Sequence, residues 1–235
     1  MSTKTLLFLM LWTIMFTPSI GAQQIDDVGE IMTLDEVLTA LHADPTNEAI
    51  RLEASRLYLD AGKKADAIEL LAQGVHRNND SFALHAKLCP LYLEINQPDQ
   101  AIMHGEQALR LNPDSAQVTF NTGLAYGKKG LSRDALRLFY RAHQLKPENA
   151  EYIYNLGVAY FNLEDYDHAV EYYKKTLEKD PKDARAYFNL GTIYNILGRK
   201  DDAITELRKA LDILGPFTDE GRRTIEYIEE IRKGL

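Results

Sequence analysis

The chain has 235 residues, of which 45% are hydrophobic and 26% are charged, a composition typical of a folded globular protein. Its formal net charge is −8, and the sequence contains no basic block. Binding to nucleic acid or to anionic lipid needs a lysine and arginine stripe that neutralises phosphate, so the composition disfavours both classes of partner.

The first 22 residues predict a secretory signal peptide. Lys4 precedes an apolar run from Leu6 to Phe16, and the small residues Pro18, Ser19, Gly21 and Ala22 follow. This order is typical of an export signal, and the apolar run is short for a membrane span. We therefore expect cleavage after Ala22 and a periplasmic or secreted protein. An uncleaved N-terminal membrane anchor is the alternative.

After a linker, the segment Thr33–Pro45 predicts one amphipathic helix, because Val37 and Leu41 lie on one helical face. We place the linker and this helix together in residues 23–47.

The stretch "YNLGVAYFNLEDYDHA" (Tyr154–Ala169) returns 34 residues later as "FNLGTIYNILGRKDDA" (Phe188–Ala203). A fixed period of this length indicates a repeat architecture. A small residue recurs on the period at Ser55, Cys89, Gly123, Gly157 and Gly191. An alanine recurs at Ala67, Ala101, Ala135, Ala169 and Ala203.

Each period predicts a helix hairpin. Apolar residues recur at spacings of three and four in two stretches, and a short polar break separates them. Prolines such as Pro147 and Pro181 end the second helix, because proline lacks an amide donor and restricts the residue before it. We expect the small residue and the alanine to meet at a close helix crossing, with Gly157 facing Ala169.

Two residues within the period stand out. Cys89 is the only cysteine, so no intramolecular disulfide can form, and its small-residue position predicts a buried, inert thiol. Pro90 lies inside a predicted helix, where it removes a hydrogen bond and acts either as a hinge or, as we favour, as a tolerated local bend.

The last segment, residues 218–235, predicts an amphipathic helix with Thr218 or Asp219 as N-cap. Its apolar side, which includes Ile225, Ile228 and Ile231, is suited to cover the end of a repeat array.

The unit Ala150–Asp183 resembles the tetratricopeptide repeat (TPR), since Leu156, Gly157, Tyr160, Ala169, Tyr173 and Pro181 all fall on motif positions. The resemblance covers residues 48–217 as five units: 48–81, 82–115, 116–149, 150–183 and 184–217. It implies an all-α, right-handed superhelical solenoid of TPR helix hairpins, with capping helices at its ends. It also implies a concave groove that binds an extended peptide or a partner segment.

In this family the first helix of each hairpin lines the groove. Carried onto this chain, the peptide-binding positions are Phe120, Asn121 and Leu124, then Tyr154, Asn155 and Val158, then Phe188, Asn189 and Thr192. Asn121, Asn155 and Asn189 form an asparagine ladder, whose amides offer both a donor and an acceptor to a peptide backbone. The alternative is that the ladder is only the family consensus.

The chaperone-binding subclass of the family holds a C-terminal carboxylate with lysine, asparagine and arginine side chains. This chain has aromatic residues at the lysine position, and only Arg185 lies near a suitable basic position. The resemblance therefore indicates an aromatic, neutral groove.

The sequence offers no constellation for catalysis or for a cofactor. The six histidines lack zinc-ligand spacing, and hydrolase and phosphate-loop motifs are absent. Glu164, Asp165 and Asp167 fall at a turn, where carboxylates cap helices. We expect no enzyme activity, no metal and no cofactor.

The sequence thus predicts an exported, all-α adaptor or assembly factor of the cell envelope that binds a protein or peptide. One alternative is a scaffold that assembles with itself through an end of the array. Another is a regulatory partner of an enzyme that acts in trans.

Overall fold

The computed structural model describes residues 32–234. The predicted signal peptide, and with it the question of cleavage or anchoring, lies outside the described residues. These residues divide into two compact units, 32–70 and 71–234, and the boundary falls within one helix.

Residues 32–234 form twelve α-helices and no strand. The helices are α1 (Leu34–Ala43), α2 (Glu48–Asp60), α3 (Lys64–Arg77), α4 (Phe82–Glu94), α5 (Pro98–Leu111), α6 (Ala116–Lys128), α7 (Ser132–Leu145), α8 (Ala150–Asn162), α9 (Tyr166–Lys179), α10 (Ala184–Ile196), α11 (Lys200–Leu214) and α12 (Asp219–Lys233). The prediction of an all-α repeat fold is confirmed.

The helix starts follow from local capping chemistry. Thr33 begins α1 with a capping box, in which its hydroxyl accepts from the Glu36 amide and Glu36 accepts from the Thr33 amide. Asn149 and Asp183 cap α8 and α10 by accepting from the first free amides of each helix. Thr218 caps α12 and accepts from the Gly221 amide at 3.0 Å.

The turn within each hairpin also repeats with the period. Backbone φ is positive at Gly62, Asn96, Gly130, Glu164 and Gly198, which are 34 residues apart. Glycine adopts this left-handed conformation without steric cost, whereas a glutamate does not. Glu164, with φ of 61°, therefore keeps the turn of the repeat although its side chain disfavours the conformation.

In the first unit, the buried side chain of Arg51 fixes the start of the α2 helix. Its guanidinium donates to the carbonyl oxygen of Leu70 at 2.9 Å and to that of Pro45 at 2.7 Å. Arg51 is only 4% exposed, so these bonds satisfy donors that water cannot reach.

In the second unit, hairpins α4–α5, α6–α7, α8–α9 and α10–α11 pack in chain order, and α12 packs on α11. Their interior is rich in aromatic side chains, including the fully buried Tyr152 and Tyr173. Helix α4 continues through Pro90. Cys89 is fully buried, and burial raises the pKa of its thiol to about 12, as expected of an inert cysteine.

The sequence predicted that Gly157 faces Ala169, whereas the side chain nearest to Gly157 is that of Tyr173. A Cβ atom placed on Gly157 would lie 2.7 Å from the ring of Tyr173, one turn further along the second helix. The small residue therefore makes room for a large side chain of the partner helix, and Ala169 is buried in the same core.

Candidate functional site

The three aromatic positions of the predicted groove have different environments. Phe120 is only 6% exposed, because its ring packs against Tyr152 with centroids 4.6 Å apart and against Phe139 at 5.6 Å. Phe120 is thus a core residue, and little of its ring is available to a ligand. Tyr154 and Phe188 are half-buried.

Tyr154 lies at the centre of a set of contacts that join α8 to α10. Its hydroxyl accepts a hydrogen bond from Asn189 Nδ2 at 3.0 Å, and the guanidinium of Arg185 stacks 4.2 Å from its ring centroid. Burial raises the pKa of the Tyr154 phenol above its ordinary value, so the hydroxyl stays protonated at neutral pH. The ring also contacts Tyr173, 5.6 Å away in the core.

Arg185 forms ion pairs on both sides of this contact. Its guanidinium binds the carboxylate of Glu151 at 2.8 Å and that of Asp183 at 2.7 Å. The hydrogen bonds to Asp183 and then to Glu151 raise the pKa of Arg185. Because two carboxylates already neutralise Arg185, the structure does not offer it as a free anchor for a ligand carboxylate.

The asparagine ladder is bonded partly to the protein itself. Asn155 Nδ2 donates to the backbone oxygen of Glu151 at 2.8 Å, and Asn121 Oδ1 accepts from Gln117 at 3.1 Å. Asn189 uses its amide on Tyr154. Within residues 32–234, no group donates to Asn155 Oδ1, so this oxygen can still accept a hydrogen bond from a ligand.

A depression of about 240 Å³ lies between hairpin α6–α7 and helix α8. It brings together three of the predicted groove residues, Leu124 from one repeat and Asn155 and Val158 from the next. Its other lining residues are Gly127, Lys128, Ser132, Ala135, Phe139, Ala159 and Asn162. The depression is therefore mainly apolar, with a few polar groups at its wall.

Gly127 accounts for the position of this depression, and the sequence analysis missed it. At the same place in the 34-residue period the preceding repeat has Leu93 and the following repeat has Phe161. A Cβ on Gly127 would have only Ala135 within 4 Å, at 3.9 Å, so the space beside it is open. An alignment of the five units at this position would have revealed the signal, since only this repeat has glycine there.

The remaining predicted residues lie outside the depression. Phe188 contacts the ring of Tyr227 on α12 with centroids 5.9 Å apart. The Thr192 hydroxyl donates to the Phe188 carbonyl at 3.0 Å within its own helix. Asn121 is 9% exposed and Asn155 is 7% exposed, so both side chains lie largely within the protein, but only Asn155 lines the depression.

Metal-binding side chains do not converge in the part of the chain that the structure describes. No group of three or more histidine, cysteine, aspartate or glutamate side chains there has the geometry to hold a metal ion. Within residues 32–234, none of the helices has both the length and the hydropathy that a membrane span requires.

Comparisons with solved structures give the same fold. A crystal structure of MamA has 26% sequence identity and a TM-score of 0.64, and the match covers 68% of this chain and 93% of that one. MamA from Desulfovibrio magneticus RS-1, residues 41 to the end, has 17% identity and a TM-score of 0.62, with 81% and 98% covered.

YrrB, described as a TPR protein with an unusual peptide-binding site, has 18% identity and a TM-score of 0.70. That match covers 84% of this chain and all of YrrB. No protein with a curated description shows significant sequence similarity. The tetratricopeptide repeat profile matches residues 87–150 and 154–217, and a second profile of the same description matches residues 34–89. The chain belongs to the tetratricopeptide repeat family.

Proposed function

We propose that this protein is an interaction adaptor or assembly factor of the cell envelope. It binds an extended segment of a partner along the first helices of its second unit. The observation that carries the proposal is the depression beside Gly127, because it joins predicted groove residues of two successive repeats. The fold supports the same class of function, since stacked repeats present extended binding surfaces.

The chemistry of the depression suits an aliphatic or aromatic anchor side chain. Leu124, Val158 and Phe139 offer apolar contacts, and about 240 Å³ is enough space for one such side chain. Asn155 lines the same space and has an oxygen that can accept from a backbone amide. An apolar anchor together with backbone hydrogen bonds is a common way of recognising an extended peptide.

Two further observations support parts of the proposal. YrrB, which shares the fold, is described as having an unusual peptide-binding site. The envelope location rests on the order of charged, apolar and small residues in the first 22 positions of the sequence.

The experiment uses a phage-displayed library of random peptides of about 12 residues, selected on purified protein. We expect enriched peptides to share an apolar anchor residue and to lose at least about tenfold in affinity for Gly127→Leu. That variant introduces the side chain that the preceding repeat has at this position, Leu93, and fills the depression.

Lys174→Glu is the matched control, because Lys174 is exposed on the second helix α9 and does not line the depression. Peptides that bind Gly127→Leu as well as the wild type, yet fail to bind Lys174→Glu, would place the site elsewhere and refute the assignment.

A further inference from the structure

Hairpin α4–α5 contains two buried histidines that bond to each other. The Nδ1 atoms of His85 on α4 and His104 on α5 are 2.8 Å apart, and the two residues are 2% and 4% exposed. His85 Nε2 lies 3.1 Å from the backbone oxygen of Asn79. Tyr92 stacks on the His104 ring with centroids 5.3 Å apart.

These contacts fix one arrangement of protons. The Asn79 oxygen only accepts, so His85 must carry its proton on Nε2, which leaves His85 Nδ1 as an acceptor. His104 must then donate from Nδ1. A proton added to His85 Nδ1 would face the Nδ1–H of His104 at 2.8 Å unless His104 moved its own proton to Nε2. A proton added to His104 Nε2 would keep the bond but would place a charge on a ring that is only 4% exposed. Both rings cannot be charged at this distance without strong repulsion.

The surroundings give little compensation for a positive charge. Arg110 on α5 opposes protonation of His85, and Asp80 in the preceding turn favours it. Tyr92 on α4, which stacks on the His104 ring, is neutral. Helix α6 packs Thr122 against α5 at Gly105, and the last turn of α3 carries the exposed His76 and Arg77.

The pair belongs to this repeat alone. The same two positions of the period hold Thr119 and Leu138 in the next repeat, and Ile153 and Tyr172 in the one after it. Since the fold tolerates apolar residues at both positions, the histidines are not needed to build a hairpin of this type.

We propose that the His85–His104 pair is a pH switch, in which protonation opens hairpin α4–α5 and thereby changes the depression beside Gly127. The coupling passes through two residues that line the depression. Leu124 packs on the cluster that contains Cys89 and Leu93, and Lys128 Nζ donates to the Leu93 carbonyl at 2.9 Å. The consequence for binding rests on the proposed function, whereas the acid sensitivity of the hairpin does not.

The direction of the effect follows from the neutral state of the buried pair. Burial lowers the pKa of His85, and burial followed by the charge of His85 lowers the pKa of His104 to about 4. The unfolded chain, with histidine pKa values of about 6.5, therefore takes up protons first. The stability of the hairpin is complete above about pH 7 and is lost as the pH falls from about 6.5 toward 4.

The first test uses ¹⁵N-labelled wild-type protein and long-range ¹H–¹⁵N spectra of its histidine rings between pH 8 and pH 4.5. We expect one ring protonated on Nε2 and one on Nδ1, with the His104 ring still neutral at about pH 5.5 and the pKa of His85 below the ordinary histidine value. Six rings that all titrate near pH 6.5, or two buried rings in the same tautomer, would overturn the proposal.

The second test measures opening of the hairpin through Cys89, its buried thiol. The labelling rate with 4,4′-dithiodipyridine is measured at pH 7.5 and pH 5, and each rate is divided by that of the urea-unfolded protein. The opening constant is the ratio of the open to the closed form of the hairpin. It rises roughly 25-fold from pH 7 to pH 5 for each histidine that is neutral in the closed form and has a pKa of about 6.5 in the open form. We expect an increase of at least about tenfold for the wild type.

The variant His85→Thr with His104→Leu introduces the residues of the next repeat. We expect its normalised labelling rate to change by less than about twofold between pH 7.5 and pH 5. His42→Gln, which alters an exposed histidine on α1, should behave as the wild type. An equal acid response in the double variant would refute the switch. A protein that shows the switch but binds none of the selected peptides would refute only the proposed function.

Discussion

Hairpins α4–α5 and α8–α9 are equivalent repeats, but they differ in the side chains at the crossing of their two helices. Only α8–α9 has a large side chain there on its second helix. In α8–α9, the first helix has Gly157 and the second has Tyr173, whose ring fills the space that a Cβ on Gly157 would occupy. In α4–α5, the first helix has Cys89 and the second has Gly105, and both are buried.

Two other hairpins, α6–α7 and α10–α11, agree with α8–α9. A Cβ on Gly123 would lie 2.7 Å from Phe139, and one on Gly191 would lie 2.6 Å from Leu207. In α4–α5 the space beside Gly105 is instead filled by the next repeat, because a Cβ there would lie 2.2 Å from Thr122 Oγ1 of α6. In α6–α7, α8–α9 and α10–α11, which we call the regular hairpins, a side chain of the second helix fills the space at the helix crossing. In α4–α5, the irregular hairpin, a side chain of the next repeat fills it.

This difference explains why the polar interior is found in α4–α5. Without a large aromatic residue on α5 at the crossing, Thr122 of α6 fills the space beside Gly105, and the two buried histidines bond to each other between the same two helices. A polar interior depends on the protonation state of its members, whereas a packed aromatic ring does not. The irregular hairpin is therefore the one expected to respond to pH.

The largest effect is expected from Gly157→Leu in the regular hairpin. The added side chain would overlap the fully buried ring of Tyr173, which has no room to move, so the free energy of unfolding should fall by about 3 kcal/mol. Urea unfolding followed by circular dichroism would measure it. Even Gly157→Ala should destabilise, although alanine favours a helix.

Its control is the double variant Gly157→Leu with Tyr173→Ala, which removes the ring and should recover part of the loss. Unfolding midpoints for Gly157→Leu that equal those of the wild type would show that the crossing does not have this register.

The repeat fold could be predicted from the sequence because its period is carried by several positions at once. The sequence did not, however, predict which side chains contact each other across a hairpin. A small residue and a recurring alanine on two helices predicted that Gly157 faces Ala169, but spacing within each helix does not show that the ring of Tyr173 is the nearest side chain. Phe120 was misplaced for a related reason, since a family position describes a face of a helix and not the rings that cover it.

A smaller effect is expected from Gly105→Ala in the irregular hairpin. The new methyl group must displace Thr122, which is fully buried, so stability should fall by about 1–2 kcal/mol despite the helix preference of alanine. Chemical unfolding of Gly105→Ala, Thr122→Ala and the double variant would measure the coupling between the two sites.

A favourable coupling of about 1 kcal/mol in this cycle would show that the neighbouring repeat fills the crossing. Strictly additive losses would mean that Thr122 does not occupy this space, and the contrast between the two hairpins would lose its basis.

The candidate site was only partly predictable. The family resemblance placed Leu124, Asn155 and Val158 on the groove face, and the structure brings these three residues to one depression. It could not place the depression itself, because that depends on a missing side chain. Gly127 has no chemistry of its own, and its meaning appears only when Leu93 and Phe161 are seen at the same position of the adjacent repeats.

The smallest effect is expected from Gly127→Ala, and it has the opposite sign. Gly127 lies within α6, and a methyl group there would meet only Ala135 at an ordinary contact distance of 3.9 Å. Alanine should therefore stabilise the protein by about 0.5–1 kcal/mol through its helix propensity. The same methyl group narrows the depression, so the Kd of a library-selected peptide should rise by about threefold or more, as titration calorimetry would measure.

A variant that is more stable but binds the peptide more weakly would show that Gly127 affects stability and binding separately. General damage to the repeat would instead lower both the stability and the affinity. A stabilised variant with unchanged affinity would show that the ligand does not enter the depression, and a destabilised one would show that the open space beside Gly127 is absent.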